Sequence, residues 1–206
     1  MATMAYTRTT DPVPTPVAAY VAGISEKTIR QAIERAEIRP TRQGVGQRHE
    51  YLFDLKDLVY LRLRSSVRGL LGPTGRRCLY EAMTQQEGQL DRLQFGIEVR
   101  LSETIYLRLG PIIEEVMRGL KEVSTAEEWV TSSPGIRGGE PVVRGTRVPV
   151  YLLADLQAKG VSSEEILADY PSVTPEALQA AITWSKLHPK RGRPTAGARW
   201  RAKRIV

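Results

Sequence analysis

Apolar residues recur at helical spacing near the start of the chain, and the pattern predicts two short helices joined by a turn. The first helix is predicted over 16–22 and is followed by Gly23 as a turn residue. Ser25 is a good N-cap for a second helix over 26–36. The apolar side chains of this second helix that should face the core are those of Ile29, Ala32, Ile33 and Ala36.

Two strands around a glycine-containing turn are predicted next. Residues 38–43 and 48–53 read as two strands around a turn at 44–46, and Asp54 then caps an amphipathic helix over 55–66. A helix pair with a glycine turn, then a hairpin, then a helix is typical of a winged helix-turn-helix domain. We assign that domain to 16–92, with a polar loop at its end, and interpret 1–15 as a flexible N-terminus.

The middle of the chain predicts a helix, a hairpin and a second helix. Gly72-Pro73-Thr74 breaks the chain before a helix that runs towards residue 86. Alternation over 97–101 and 105–109 predicts a hairpin, which is marginal alone and should add to another sheet, such as a partner's. Gly110 begins a helix that should close near Ser124 and Thr125. We interpret 93–125 as a connector, either a dimerisation element or a hinge.

The last third predicts a strand corner followed by three helices, over 126–187. Val142 and Val143 form a short buried strand, Gly145 allows a tight reversal, and Pro149 fits the first turn of a helix. Two further helices should begin after Ser162 and Thr174. The fold class is therefore mainly α with small β elements (α+β): a winged helix-turn-helix domain plus a second trihelical, helix-turn-helix-like domain. The residues that specify the corner are Gly139, Pro141, Arg144, Gly145, Thr146, Arg147 and Pro149.

Two interpretations of the corner arginines stay open. Arg144 and Arg147 either brace the turn through backbone carbonyls or a carboxylate such as Asp155, or they contact phosphate or a protein partner. A phosphate-binding loop is disfavoured, because no Gly-Lys-Ser/Thr follows the glycines.

Charge is concentrated at one end of the chain. The 206 residues carry a formal net charge of +7. Residues 186–206 hold eight basic and no acidic side chains, so the other 185 carry 22 basic against 23 acidic groups. We therefore treat 188–206 as a basic tail that favours polyanionic partners.

Composition also limits the chemistry. The single cysteine, Cys78, rules out an intramolecular disulfide framework and suits a reducing cytoplasm. With only His49 and His188 beside it, a zinc cluster is disfavoured. No apolar run is long enough to span a membrane, and the N-terminus lacks a secretion signal. We expect a cytoplasmic protein that is not an enzyme, with no catalytic residue, cofactor or metal.

The helix after Ser25 and the hairpin are the expected DNA contacts. Region 24–50 has six basic and four acidic residues, only +2, so we expect a homodimer that doubles the contacts with double-stranded DNA. The helix after Thr174 has Glu176 in its first turn, and a negative charge there is unfavourable in a groove lined by phosphates. We therefore interpret the second domain as a protein-interaction or dimerisation unit. The predicted DNA-binding residues are Ser25, Lys27, Thr28, Arg30, Gln31, Arg35, Arg42 and Arg48.

The order of the N-terminal elements resembles MerR-like winged helix regulators. The run from Gly139 to Val150, with Tyr170-Pro171 and Thr174-Pro175-Glu176, resembles the small bacterial "GTR" domain of uncharacterised function. The pairing of the two is similar to larger VapB-type antitoxins of type II toxin–antitoxin systems. This resemblance implies a repressor that binds operator DNA of its own operon and neutralises a PIN-domain ribonuclease toxin, as a homodimer or a toxin–antitoxin hetero-oligomer.

The basic tail has two candidate partners. It either grips DNA phosphates, or folds into the acidic, metal-binding cleft that the resemblance implies for the toxin. The toxin-binding residues predicted there are Arg191, Arg193, Arg199, Trp200, Arg201 and Arg204. Two other functions stay open for the whole chain: a stand-alone dimeric winged-helix transcriptional regulator without a toxin, and a nucleotide-handling enzyme.

Overall fold

The computed structural model describes residues 11–45, 48–85 and 98–190, and there the chain is mainly helical with small antiparallel sheets, as predicted. The described helices are α1 (Thr15–Ala22), α2 (Glu26–Glu34), α3 (Leu55–Val67), α4 (Pro73–Gln85), α5 (Gly110–Trp129), α6 (Val150–Ala158), α7 (Ser163–Asp169) and α8 (Pro175–Leu187). The described strands are β1 (Val13–Pro14), β2 (Thr41–Val45), β3 (Arg48–Phe53), β4 (Glu98–Arg100), β5 (Tyr106–Arg108), β6 (Val130–Thr131) and β7 (Val142–Val143).

The N-terminal sheet contains a strand that the sequence did not predict. β1 pairs antiparallel with β3, with Val13 opposite Phe53, and the strand order is β1-β3-β2. Val13 is 1% exposed, because its side chain is part of the N-terminal hydrophobic core. The prediction of a flexible segment was therefore wrong for residues 11–15, while residues 1–10 lie outside the described residues.

The end of α2 differs from the predicted helix. α2 ends at Glu34, and Ala36 has a positive φ of 52° and is exposed instead of facing the core. The Glu37 N–H donates to the Ala32 carbonyl, which closes the helix with a left-handed residue at a cost of about 1 kcal/mol. The next strand starts at Thr41, because Ile38 is instead buried in the core.

The segment 98–125 is part of the N-terminal core, which differs from the predicted connector. Val99 of the β4–β5 hairpin is buried there, and the hairpin pairs with no third strand in the described ranges. α5 continues five residues past Ser124, to Trp129, because Val123 and Ala126 are buried on its inner face. A Cβ at Gly119 would lie 3.4 Å from the Val21 Cα, so α5 crosses α1 closely.

The C-terminal unit packs β6, β7 and three helices around a second core. Ser162 forms the predicted capping box with Glu165, and the Thr174 side chain accepts from the Ala177 N–H at the start of α8. Pro149 is the N-cap residue of α6 and not, as predicted, part of its first turn. α8 packs along both α5 and α6. In the ranges that the structure describes, none of the helices has the length and apolarity needed to cross a membrane.

Candidate nucleic-acid interface

The turn between α1 and α2 is held by backbone bonds and by one arginine. Gly23 has a φ of 66°, and the Ile24 N–H donates to the Ala19 carbonyl over 3.0 Å. Arg62 donates from Nη1 to the Ala22 carbonyl (3.5 Å) and from Nε to the Glu115 carboxylate (2.7 Å). A Cβ at Gly23 would lie 2.6 Å from that Nη1, so both the left-handed backbone and the arginine favour glycine. The turn is thereby fixed to α3 and α5.

Two of the predicted DNA-binding residues form the cap of α2. The Ser25 hydroxyl accepts from the Thr28 N–H (3.2 Å) and lies 2.9 Å from the Thr28 hydroxyl. Ile29 and Ala32 are fully buried on the opposite side of the helix. The cap and the buried side together fix which residues α2 presents to solvent.

The exposed side of α2 and its C-cap carry three cations. Lys27, Arg30 and Arg35 are exposed, and Gln31 is half-buried. Within residues 11–45, 48–85 and 98–190, none of these three cations has an ion pair or a side-chain hydrogen bond. The structure thus brings Lys27, Arg30 and Gln31 together on one helix surface, where they can contact an anionic partner.

The two predicted DNA-binding arginines of the hairpin lie at different places along it. Arg42 is exposed in β2 opposite Tyr51, whereas Arg48 lies in β3 opposite Val45, farther along the hairpin. The sequence interpretation missed Arg39, an exposed cation between α2 and β2 whose N–H donates to the Tyr80 hydroxyl over 3.3 Å. Its position between two predicted DNA-contacting elements was the signal that could have identified it.

A buried ionic cluster lies beneath the end of α2, formed by Glu37, Arg64 and Arg76. The Glu37 carboxylate accepts from Arg64 Nε over 2.7 Å and from Arg76 Nη2 over 3.0 Å. Glu37 is 0% exposed, and Arg76 also donates to the Leu71 carbonyl over 2.7 Å. Burial by itself would raise the pKa of Glu37, but the bonds from both arginines hold it below its usual value. The cluster fixes the chain after α2 to α3 and α4.

A second polar cluster lies at the start of α3. Asp54 and Asp57 form a capping box, and the Tyr80 hydroxyl donates to Asp57 Oδ1 over 2.6 Å. Burial, followed by the neighbouring Asp54 carboxylate, raises the pKa of Asp57 to about 6. The Lys56 ammonium lies 5.3 Å from the centre of the Tyr80 ring and 3.5 Å from Asp54. This cluster supports the base of the hairpin through Arg39.

The strand corner is held by its backbone and by Thr146. The Thr146 hydroxyl donates to the Val143 carbonyl (2.9 Å) and accepts from the Val148 N–H (3.1 Å), while Gly145 has a φ of 76°. Arg144 and Arg147 are exposed and have no side-chain partner in the part of the chain that the structure describes.

The bracing role predicted for the two corner arginines is therefore not found, since the threonine hydroxyl already satisfies the turn. The carboxylate suggested as their partner, Asp155, lies instead 3.9 Å from Lys190 Nζ. Across the described ranges, no group of three or more His, Cys, Asp or Glu side chains could hold a metal ion. The predicted toxin-binding residues at 191–206 lie outside the described residues.

Comparison with known proteins finds matches that carry no assigned activity. The chain is 43% identical over 91 residues to "Uncharacterized protein y4eO" of Sinorhizobium fredii, a match that covers 44% of this chain and 41% of that protein. The chain thus spans less than half of the length of that relative. No solved structure matches. Residues 130–184, which hold the corner and most of the three following helices, match the family described as "Protein of unknown function (DUF433)".

Proposed function

We propose that the protein is a repressor that binds double-stranded operator DNA, with α2 reading the major groove and the β2–β3 hairpin contacting the phosphate backbone. The observation that carries this proposal is a capped helix on which Lys27 and Arg30 are exposed beside the half-buried Gln31, the two cations having no partner in the described ranges. Free cations on a rigid helix favour an anionic partner, because no internal salt bridge has to be broken. The order of α1, α2 and the hairpin supports a MerR-like winged helix arrangement.

The dimensions of α2 suit this role. Its nine residues span about 14 Å, comparable with the major groove, which is about 12 Å wide. Lys27, Arg30 and Gln31 have the i, i+3 and i+4 spacing that places them on one surface, and Glu34 extends this surface at the other end. Because Glu34 would face phosphates unfavourably, the N-terminal half of α2 enters the groove.

A homodimer is part of the proposal. α2 and its C-cap carry Lys27, Arg30 and Arg35 against Glu26 and Glu34, so one copy offers little net attraction. Two copies on adjacent half-sites double the phosphate contacts and add their binding free energies. The C-terminal unit, whose exposed Arg144 and Arg147 have no side-chain partner among the described residues, is proposed as an interaction unit.

The biological setting that the sequence resemblance favours is an antitoxin of a type II toxin–antitoxin pair. There the repressor controls its own operon and neutralises a PIN-domain ribonuclease encoded beside it. The combination of a DNA-reading unit with a separate C-terminal unit supports this setting. A stand-alone dimeric regulator without a toxin is the alternative, and co-purification of the neighbouring ribonuclease with the full chain distinguishes the two.

Replacing Arg30 or Gln31 by alanine should weaken sequence discrimination by about 1–2 kcal/mol, because each side chain is proposed to contact base edges. Arg48→Ala should weaken binding to all sequences alike and lower the salt slope by about 1. A gel shift compares duplex DNA from directly upstream of the coding sequence with a scrambled duplex of equal length.

Lys159→Ala is the matched control for this series, since Lys159 is an exposed cation at the end of α6 in the other unit. Equal binding by the Arg30, Gln31 and control variants would move the DNA contact away from α2. Failure of the wild-type chain to shift any duplex would overturn DNA binding itself. Hydrolysis of a nucleoside triphosphate would favour the enzymatic interpretation instead.

A further inference from the structure

We infer that the N-terminal unit contains a binding site for a terminal phosphate group, that of a small phosphomonoester or of free phosphate. The site is a pocket between the segment after α2, the start of α3 and one face of α4. Its volume is about 320 Å³, near the lower end of the range of about 300–1,000 Å³ for small-molecule sites. Among the described residues, its lining includes three cations, Arg39, Lys56 and Arg77, and one carboxylate, Glu81. A site for a small anion goes beyond the proposed binding of DNA.

Three elements bring these side chains to one pocket, although they are distant in sequence. Arg77 and Glu81 are four residues apart and lie on one face of α4. Lys56 is in the first turn of α3, and Arg39 follows α2. Arg39 is tied to α4 by its backbone N–H, which donates to the Tyr80 hydroxyl over 3.3 Å. The pocket is therefore built by tertiary packing and does not depend on a single loop.

The buried part of the lining, formed by Lys56 and Tyr80, is fixed before any ligand binds. The Lys56 side chain is 10% exposed, and its ammonium lies 5.3 Å from the centre of the Tyr80 ring and 3.5 Å from Asp54. The Tyr80 ring packs edge-on against Tyr60, with ring centres 5.3 Å apart, and its hydroxyl donates to Asp57 over 2.6 Å. A lysine held in this way loses little side-chain entropy when it binds an anion.

The two arginines of the pocket are available for a ligand. Arg39 and Arg77 are exposed, and neither side chain has an ion pair or a hydrogen bond to another described residue. The neighbouring carboxylates of Asp54 and Asp57 do not line the pocket, because they form the capping box of α3. Guanidinium groups without an internal partner favour an anionic ligand, since no salt bridge has to be broken.

The number of cations matches a terminal phosphate. Such a group carries about 1.5–2 negative charges near pH 7 and has three acceptor oxygens, enough for two guanidinium groups and one ammonium. A carboxylate has a single charge and would leave more of the positive charge uncompensated. A phosphate of the DNA backbone is flanked by two sugars, which hold it away from the Lys56 ammonium on its nine-tenths buried side chain. The pocket therefore suits a phosphomonoester or free phosphate.

The test titrates the full chain with inorganic phosphate and, in a second arm, with glycerol phosphate, by isothermal titration calorimetry at constant ionic strength. Both should give saturable binding, and the tighter of the two distinguishes a phosphomonoester site from a site for free phosphate. Arg39→Gln and Arg77→Gln should each weaken binding by about tenfold, because each removes a charge-assisted hydrogen bond. Glu81→Gln should strengthen binding, because it removes an opposing charge. Circular dichroism checks that each variant is folded.

Arg68→Gln is the matched control, since Arg68 is an exposed cation at the C-cap of α3, in the same unit, and does not line the pocket. This variant should bind phosphate as the wild type does. Dimethyl phosphate is the control ligand, because it has a single charge and two ester groups, as the DNA backbone has. It should bind about tenfold or more weakly than glycerol phosphate.

The inference fails on any of the following results. Absence of saturable heat with both phosphates would show that the pocket is not a phosphate site. Equal weakening by Arg68→Gln would assign the attraction to diffuse surface charge. Equal affinity for dimethyl phosphate, or weaker binding of the upstream duplex by Arg39→Gln and Arg77→Gln with phosphate binding unchanged, would assign the two arginines to the DNA backbone. The titration contains no DNA, so its failure and a failure of the proposed DNA binding are separate results.

Discussion

A Glu37→Gln variant is expected to lose about 3–5 kcal/mol of its free energy of unfolding. Glu37 is the only acidic partner that Arg64 and Arg76 have in the described ranges, and all three side chains are buried. The neutral amide leaves two buried guanidinium groups without a counter-charge, and desolvation of each is no longer compensated. Urea denaturation monitored by circular dichroism measures the change.

Glu34→Gln is the matched control, since Glu34 is exposed at the end of α2 and has no partner in the described part of the chain. It should change stability by less than about 0.5 kcal/mol. Equal effects of the two variants would show that the buried cluster is not a stabilising unit. A triple variant with Glu37→Met, Arg64→Leu and Arg76→Leu should recover much of the loss, because an apolar cluster needs no charge compensation.

Asp57 should make the protein less stable as the pH rises from 4 to 7. Its folded pKa of about 6 lies above its value in the unfolded chain, so the folded state holds the proton more tightly. The stabilisation is therefore complete at low pH and is lost as the pH rises through 6. Each unit of difference between the folded and unfolded pKa corresponds to about 1.4 kcal/mol. The free energy of unfolding should therefore fall by about 2 kcal/mol between these pH values.

An Asp57→Asn variant isolates this contribution. The difference in free energy of unfolding between wild type and variant should move by about 2 kcal/mol in favour of the variant from pH 4 to pH 7. Glu37 acts with the opposite sign: its lowered pKa gives stability above the usual range of a carboxyl group, which is lost as the pH falls through the folded value. A difference curve for Asp57→Asn that is flat with pH would contradict the assignment. Glu81→Gln, exposed beside Tyr80, controls for removal of a nearby carboxyl group.

Local elements of the fold could be predicted because their signals are local. The Ser25 cap and the capping box at Ser162 each lie within a few residues of the helix that they start. The predicted ends of helices and strands were wrong where tertiary contacts decide them. α5 passes through Ser124 and Thr125 because the buried Val123 and Ala126 outweigh weak helix propensity.

The candidate interface could be predicted only in part for the same reason. The exposed cations of α2 follow from helical periodicity around Ile29 and Ala32. The ionic cluster joins Glu37 to Arg64 and Arg76, which lie 27 and 39 positions later in the chain. No local sequence pattern encodes contacts over such separations. The closeness of Lys186 to Ser25 and Glu26 across a cleft depends on how α8 packs, which no local sequence pattern encodes.

Because α5 and α8 are shared between the two cores, the two units should unfold together. Ile113 and Val116 of α5 lie in the first core, while α8 places Leu178 in the second core and Leu187 in the first. If either unit unfolded alone, it would expose one packed face of a helix that the other unit needs. The backbone amides of α5 should therefore exchange with deuterated solvent only through global unfolding, and the two cores should behave as one foldon.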